Sequence, residues 1–207
     1  MNVLLINGSP NPKGCTYTAL SEVEKVLRGF QVETAFFHIG KKAVHGCIAC
    51  RKCRQTGKCA FDDAANVCAD MIRKADGLIV GSPVYYASAN GALCALLDRV
   101  FFSTATGPDF RGKPAAAIVS CRRGGASTAF DRLNKYFTIS EMPVVSSQYW
   151  NAVHGNTPEE VLQDGEGLQI MRTLGRNMAA MLENLKTGTS KIPSVERETR
   201  IATNFIR

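Results

Sequence analysis

The sequence carries no low-complexity block and no run of like charge, which excludes disorder as its main theme. It contains no G-x-G-x-x-G, and Gly14 is followed by Cys15 rather than by Lys and Ser or Thr. Neither a Rossmann-held dinucleotide nor a triphosphate on a P-loop is therefore expected. Histidine is scarce, with 3 in 207 residues, and His45 and His154 stand apart from any nucleophile, so nothing points to a hydrolase. No recognition helix or aromatic platform for bases is evident, so nucleic acid is not an expected partner. The longest stretch without a charged side chain runs from Gly77 to Leu97, yet Gly81-Ser82-Pro83, two tyrosines and Asn90-Gly91 divide it into strand, turn and helix start. A membrane is excluded as a partner on that ground. The amino terminus shows no basic leader and only a short apolar run, so the expected location is a reducing cytoplasm. There the 8 cysteines read as thiols or metal ligands rather than a disulfide framework.

What the chain does have is 45% hydrophobic residues and enough length to bury about 70% of its unfolded surface. A net charge of +7 favours an acidic partner or an anionic ligand. Val3 to Ile6, Leu78 to Val80 and Ala115 to Val119 are continuous apolar runs, as expected of strands buried on both faces. Gln31 to Phe37 alternates and suits a sheet edge, and Val144-Val145 reads as a fifth strand. Between them, Leu20, Val23 and Leu27, then Val67, Met71 and Ala75, then Leu93, Leu97, Val100 and Phe101 recur at helical spacing. Another helical pattern begins near Phe130 and Leu133. The last starts at Thr157-Pro158-Glu159-Glu160, a capping box with Pro at the first position, and continues through Leu168, Met171, Leu174, Met178 and Leu185. This alternation predicts an α/β fold, a doubly wound five-stranded parallel sheet in the order 2-1-3-4-5. One domain covers residues 1–186, with a cysteine-rich insert at 40–62 after strand 2. Residues 187–207 form a mixed-charge tail, either loose or serving as an oligomerisation arm.

In such a sheet a ligand sits beyond the carboxyl ends of strands 1 and 3. After strand 1, Gly8 to Thr18 is rich in small and hydroxylated residues and leads straight into a helix. Backbone N–H groups at the helix start, with Ser9, Thr16 and Thr18, suit a phosphate, and Lys13 adds charge. After strand 3, Pro83 to Gly91 offers aromatic faces suited to a flat heterocycle. After strand 4, Ser120-Cys121-Arg122-Arg123-Gly124-Gly125 sets two guanidiniums beside two glycines. Taken singly, each loop also reads as ordinary turn chemistry.

Together these residues resemble a family, the flavodoxin-like NAD(P)H-dependent FMN reductases, and within it the iron–sulfur flavoproteins. The resemblance rests on Gly8-Ser9-Pro10 with Thr16, on Gly81 to Tyr86 followed by Leu97-Asp98-Arg99, on Arg122 to Gly125 and on the cysteine cluster. It implies that 1–186 is a flavodoxin-like FMN-binding domain. It implies further that Ser9, Thr16 and Thr18 hold the FMN phosphate, that Pro83, Val84, Tyr85, Tyr86 and Ser88 border the isoalloxazine, and that Ser120, Arg122, Arg123, Gly124 and Gly125 close the other side. Cys15 and Ala87 depart from what relatives often carry there. The activity implied is transfer of electrons from NAD(P)H, or from ferredoxin through a cluster, to a quinone, flavin or oxygen-species acceptor. The alternative is an electron-transfer module with little nicotinamide turnover. A homodimer or homotetramer is also implied, with Tyr149-Trp150-Asn151 and His154 supplied by a neighbouring chain.

Cys47, Cys50, Cys53 and Cys59 form C-x2-C-x2-C-x5-C, a spacing that can wrap thiolates around one 4Fe–4S cubane, whereas zinc sites show separated knuckles. Lys42, Arg51, Lys52, Arg54 and Lys58 would offset the charge. An ordered thiol loop and a local disulfide are the other readings. Cys68 and Cys94 fall in apolar stripes as small core residues; Cys121 lies beside two arginines that would favour a thiolate, but a structural role is the preferred reading. Asp62-Asp63 precedes a helical pattern as a cap.

Overall fold

The computed structural model describes residues 1–105, 107 and 109–187. The expected tail lies outside the described residues, apart from Thr187, which ends a helix. Five strands run parallel: β1 (Asn2–Asn7), β2 (Glu33–His38), β3 (Gly77–Tyr85), β5 (Ala115–Cys121) and β6 (Ala152–His154), in the order β2-β1-β3-β5-β6. A two-residue strand, β4 (Ser88–Ala89), folds back antiparallel on the end of β3 and lies off this path. Without that extra strand the order is the expected 2-1-3-4-5.

Successive residues of the buried strands serve opposite faces, as the pleat requires. Val3, Leu5, Ile79 and Ile118 pack beneath α1 (Cys15–Gly29) and α7 (Gly165–Thr187). Leu4, Ile6, Leu78, Val80 and Val119 pack beneath α3 (Ala64–Lys74), α4 (Gly91–Thr104) and α5 (Ala126–Ile139). Each fully buried Leu or Ile stabilises the fold by about 1.5–3 kcal/mol, so the two cores hold the sheet from both sides. The remaining helices, α2 (Cys53–Thr56) and α6 (Pro158–Val161), are single turns. Among the described residues no helix is long and apolar enough to cross a membrane.

Four local expectations are corrected. Val144 makes only an isolated bridge to Ala115, and the fifth parallel strand is Ala152–His154, where Asn151 anchors the edge by donating from Nδ2 to the Ala117 carbonyl. The capping box at Thr157 works, since Thr157 Oγ1 accepts from the Glu160 N–H, but it starts only α6. Asp164 then begins α7 afresh: it accepts from the Gly167 N–H at 2.9 Å and from the His154 N–H at 2.7 Å, pinning that helix to β6. In α3 the buried face is Ala65, Cys68, Ala69 and Ile72, while Val67 is exposed, because the Asp63 cap sets the helix phase. Near the end of α7, Leu182 is buried and Leu185 exposed.

α1 and α7 cross closely at Gly175, where an added Cβ would lie 2.9 Å from Val26 Cβ and 3.3 Å from the Val23 carbonyl oxygen. Gly165, at the start of the same helix, has nothing within 4 Å of such a Cβ. Gly175→Ala is expected to lower the unfolding free energy by about 1–3 kcal/mol through overpacking. Gly165→Ala is expected to change it by under about 1 kcal/mol, towards greater stability. Urea denaturation of the two variants checks the pair.

Candidate functional site

The carboxyl ends of β1, β3 and β5 each release a loop at one edge of the sheet, and these loops are bonded to one another. Gly8 donates its N–H to the Gly81 carbonyl at 2.8 Å, and a Cβ on Gly8 would meet that oxygen at 2.7 Å, so the first and third strands part here with no room for a side chain. Asn90, 8% exposed, donates from Nδ2 to the Gly8 carbonyl at 2.7 Å and accepts the Ala92 N–H to cap α4. Its own N–H goes to Ser82 Oγ at 2.9 Å. Thr16 and Ser120, 104 residues apart, share a buried hydroxyl–hydroxyl bond of 2.8 Å that ties α1 to β5. His38, at the end of β2, contacts the Ser9 carbonyl through Nε2 at 2.9 Å and steadies the first loop from its other flank.

The first turn of α1 opens into this edge without a side-chain cap. Gly14 occupies the N-cap position, and no acidic residue lies in the first turn. Unsatisfied N–H groups and the positive end of the helix dipole make this an anion-binding position. Ser9 is buried, and its Oγ accepts the Asn11 N–H. The Thr18 hydroxyl donates back to the Gly14 carbonyl, and Lys13 is exposed.

β3 carries Pro83, Val84 and Tyr85 out of the core and turns at Tyr86 and Ala87, with φ of 48° and 57°, before Ser88 pairs with Tyr85. Two consecutive positive φ values mark a type I′ hairpin, which normally calls for Asn or Gly, so strain is held at this edge. Gly125, at φ 88°, lies under the hairpin: a Cβ there would sit 2.6 Å from Ala87 Cα. The tyrosine rings project outward, Tyr85 half-exposed and Tyr86 fully exposed. Arg122, Arg123 and Gly124 are exposed beside them. Cys121 is buried, and burial pushes its thiol up, which suits the structural role expected of it rather than a thiolate. A cavity of about 390 Å³ beside this loop is lined by Arg123, Gly125, Phe130, Tyr149, Trp150 and His154. Asn151 is buried in the sheet and belongs to this chain's own core rather than to an arm reaching a neighbour.

The cysteine insert lies against the later half of α4. Cys47, Cys50, Cys53 and Cys59 line one small cavity together with Arg99, Phe102 and Ser103. All four are free thiols, which corrects the reading of a local disulfide, and burial, then the proximity of its three companions, holds the Cys53 thiol above the ordinary value. Among the described residues no three ligands converge closely enough for a single metal ion. A cubane takes four thiolates at separated corners, and the four cysteines that border this cavity of about 20 Å³ match it in number and donor type. Cys59 is the best-held member: its N–H goes to Asn66 Oδ1 at 2.9 Å, its carbonyl accepts from Asn66 Nδ2, and its Sγ accepts from Arg99 Nε at 3.2 Å. Asp63 does cap α3, through the Ala65 N–H, and also pairs with Arg99, whose guanidinium holds its carboxyl below the usual range. Cys68 is core, its thiol pushed up to about 12 by burial. A larger cavity, about 730 Å³, lies among Phe101, Phe102, Phe110, Tyr136 and Ile139, apart from the strand ends.

Sequence reading singled out the three loops and quoted Arg99 within Leu97-Asp98-Arg99, but it assigned no role to His38, Asn90 or Arg99. Asn90 stands directly before a helical pattern, which is a capping signal. Arg99 falls in the buried phase of an apolar helix.

The family described as NADPH-dependent FMN reductase matches residues 1–157. An iron–sulfur flavoprotein of Methanocaldococcus jannaschii is 32% identical over 193 residues, covering 90% of this chain and 100% of the relative. Among solved structures, RosB with a bound riboflavin-phosphate intermediate matches 100% of this chain and 94% of its own at a TM-score of 0.72 and 13% identity. A flavodoxin from the domain Archaea matches 88% of this chain and 99% of its own at a TM-score of 0.60 and 15% identity. These likenesses give the fold as flavodoxin-like, and the chain belongs to the NADPH-dependent FMN reductase family, within which it groups with the iron–sulfur flavoproteins.

Proposed function

We propose that the protein is an FMN-dependent oxidoreductase that takes electrons from NAD(P)H, or from ferredoxin through an iron–sulfur cluster, and delivers them to a quinone, flavin or oxygen-species acceptor. The observation that carries this reading is the uncapped first turn of α1 opening onto three interlocked loops. An anion at that turn supplies the acceptor that the chain itself withholds. The phosphate is held by the first-turn N–H groups with Ser9 and Thr18, and Thr16 contributes its N–H while its hydroxyl stays with Ser120. Pro83, Val84, Tyr85, Tyr86 and Ser88 border one side of the ring, and Ser120, Arg122, Arg123, Gly124 and Gly125 the other.

An FMN bound there would supply hydride and one-electron chemistry, and Cys47, Cys50, Cys53 and Cys59 would hold the cluster that supplies single-electron transfer. The chain's part is placement. Tyr85 and Tyr86 wall the site, with Trp150 across the neighbouring cavity, so that donor and acceptor occupy one place in turn. Arg122 and Arg123 attract the nicotinamide phosphates. No protein acid or base is required. The matching assembly is a homodimer or homotetramer, with the exposed, closely packed Tyr149 and Trp150 at the seam.

The second reading, an electron-transfer module exchanging with ferredoxin, is favoured by the exposed Arg51, Lys52, Arg54 and Lys58 around the cysteine cavity. Steering by these charges is expected to make ferredoxin-linked reduction slow steeply as salt rises, and stopped-flow rates that ignore ionic strength would count against it.

Protein purified without oxygen is expected to carry FMN with about four irons and about four acid-labile sulfides per flavin, and a broad shoulder over the flavin bands. Flavin without iron would leave a reductase whose cysteine loop is structural, and absence of flavin would overturn the proposal. In steady-state kinetics with NADPH and a quinone, Arg122→Gln with Arg123→Gln is expected to raise KM for NADPH about tenfold and to lower kcat by less. An unmoved KM would remove both arginines from nicotinamide binding.

A further inference from the structure

Arg99 is 1% exposed, among the largest fully buried side chains described, and it sits on α4 rather than in the cysteine insert. A guanidinium has five N–H donors, and here each has an acceptor. Nε donates to Cys59 Sγ at 3.2 Å; Nη1 to Asp63 Oδ2 at 2.8 Å and the His45 carbonyl at 3.3 Å; Nη2 to Asp63 Oδ1 at 2.6 Å and the Phe61 carbonyl at 3.4 Å. Its Cζ also lies 5.0 Å from the centroid of the Phe61 ring, which in turn stacks on His45. Arg99 thus grips the insert on both sides of the cysteines, at residue 45 and at residues 59 to 63. The cations within the insert, Lys41, Lys42, Arg51, Lys52, Arg54 and Lys58, are all exposed, where water and salt screen them. One buried cation therefore touches a thiol, and one carboxylate is paired with it.

We infer that Arg99 sets the reduction potential of the group held by the four cysteines, by donating to the Cys59 sulfur, and that Asp63 moderates this effect by offsetting the charge of Arg99. The inference rests on the cluster reading above. Reduction adds one electron from an external donor and moves no proton at Arg99, so the cysteine-held group gains one negative charge. A hydrogen-bond donor bearing a positive charge stabilises that state more than the oxidised one. Loss of the donor lowers the potential. Neutralising Asp63 leaves the charge of Arg99 less opposed and raises it. Opposite signs from two residues in contact distinguish tuning from mere support, since loosening of the insert would move both variants in the same direction.

The test is a potentiometric titration of the holoprotein followed by electron paramagnetic resonance, on wild type, Arg99→Gln, Arg99→Lys and Asp63→Asn. Iron, sulfide and flavin are assayed on the same samples. Arg99→Gln is expected to shift the ratio of reduced to oxidised centre at fixed potential about tenfold towards oxidised, about 59 mV for a one-electron couple. Asp63→Asn, which keeps a good helix cap, is expected to shift it towards reduced, and Arg99→Lys to fall between wild type and Arg99→Gln. Coincident midpoints, or shifts of one sign in Arg99→Gln and Asp63→Asn, would overturn the inference. If Arg99→Gln fails to fold or loses iron, Asp63→Asn decides alone: a rise supports the inference, and no change or a fall overturns it. Wild type without iron and sulfide overturns the cluster reading itself, which separates that failure from this one.

Discussion

The carboxamide of Asn90 joins parts of the chain that would otherwise part company. Its Nδ2 holds the Gly8 carbonyl and its Oδ1 caps α4, while its backbone N–H engages Ser82, all in a nearly water-free setting. A buried amide is costly unless satisfied, and in low dielectric each satisfied bond is strengthened, so the arrangement admits few alternatives. The loop after β1 and the hairpin after β3 are therefore one unit. Thr16 with Ser120 adds β5 to it, and Gly125 supplies the flat surface on which the strained Tyr86-Ala87 turn rests. The edge is preformed by the chain's own bonds.

The cysteine insert is organised on a different principle. It has little regular structure beyond the single turn of α2, and its backbone is fixed by side chains reaching in from α3 and α4. Asn66 holds the backbone of Cys59 from both directions, and Arg99 holds its sulfur. Burying a guanidinium is expensive, and such groups persist where every donor is used and the charge is opposed. Both conditions hold at Arg99.

The sheet was legible because unbroken apolar runs such as Val3 to Ile6 admit few readings other than a strand buried on both faces, and the alternating Gln31 to Phe37 placed β2 at an edge. The fifth strand was misplaced: Val144-Val145 is the more apolar pair, but it follows Pro143, and the neighbouring Ala152–His154 is fixed by Asn151, whose bond crosses 34 residues. Of the core positions expected around α3, Cys68 and Ala75 are buried and Met71 packs against the core, and only Val67 faces water. At the site, the three loops could be read one at a time from their composition. Their joining could not, because Thr16 meets Ser120 only once the strand order is in place. Arg99 was legible only as part of Leu97-Asp98-Arg99, because its bonds to Cys59 and Asp63 exist only in the fold.

Asn90 and Arg99 sit at the start and in the later half of the same helix, nine positions apart, which is about 14 Å of axial rise and about two and a half turns. They consequently point to nearly opposite sides of α4, one towards the strand loops and the other towards the cysteine insert. Adding or removing one residue between them would rotate one anchor by about 100° relative to the other. The spacing along α4 therefore sets how the strand loops and the cysteine insert are oriented relative to each other. The helix acts as a gauge block between two centres that sequence alone would treat as independent.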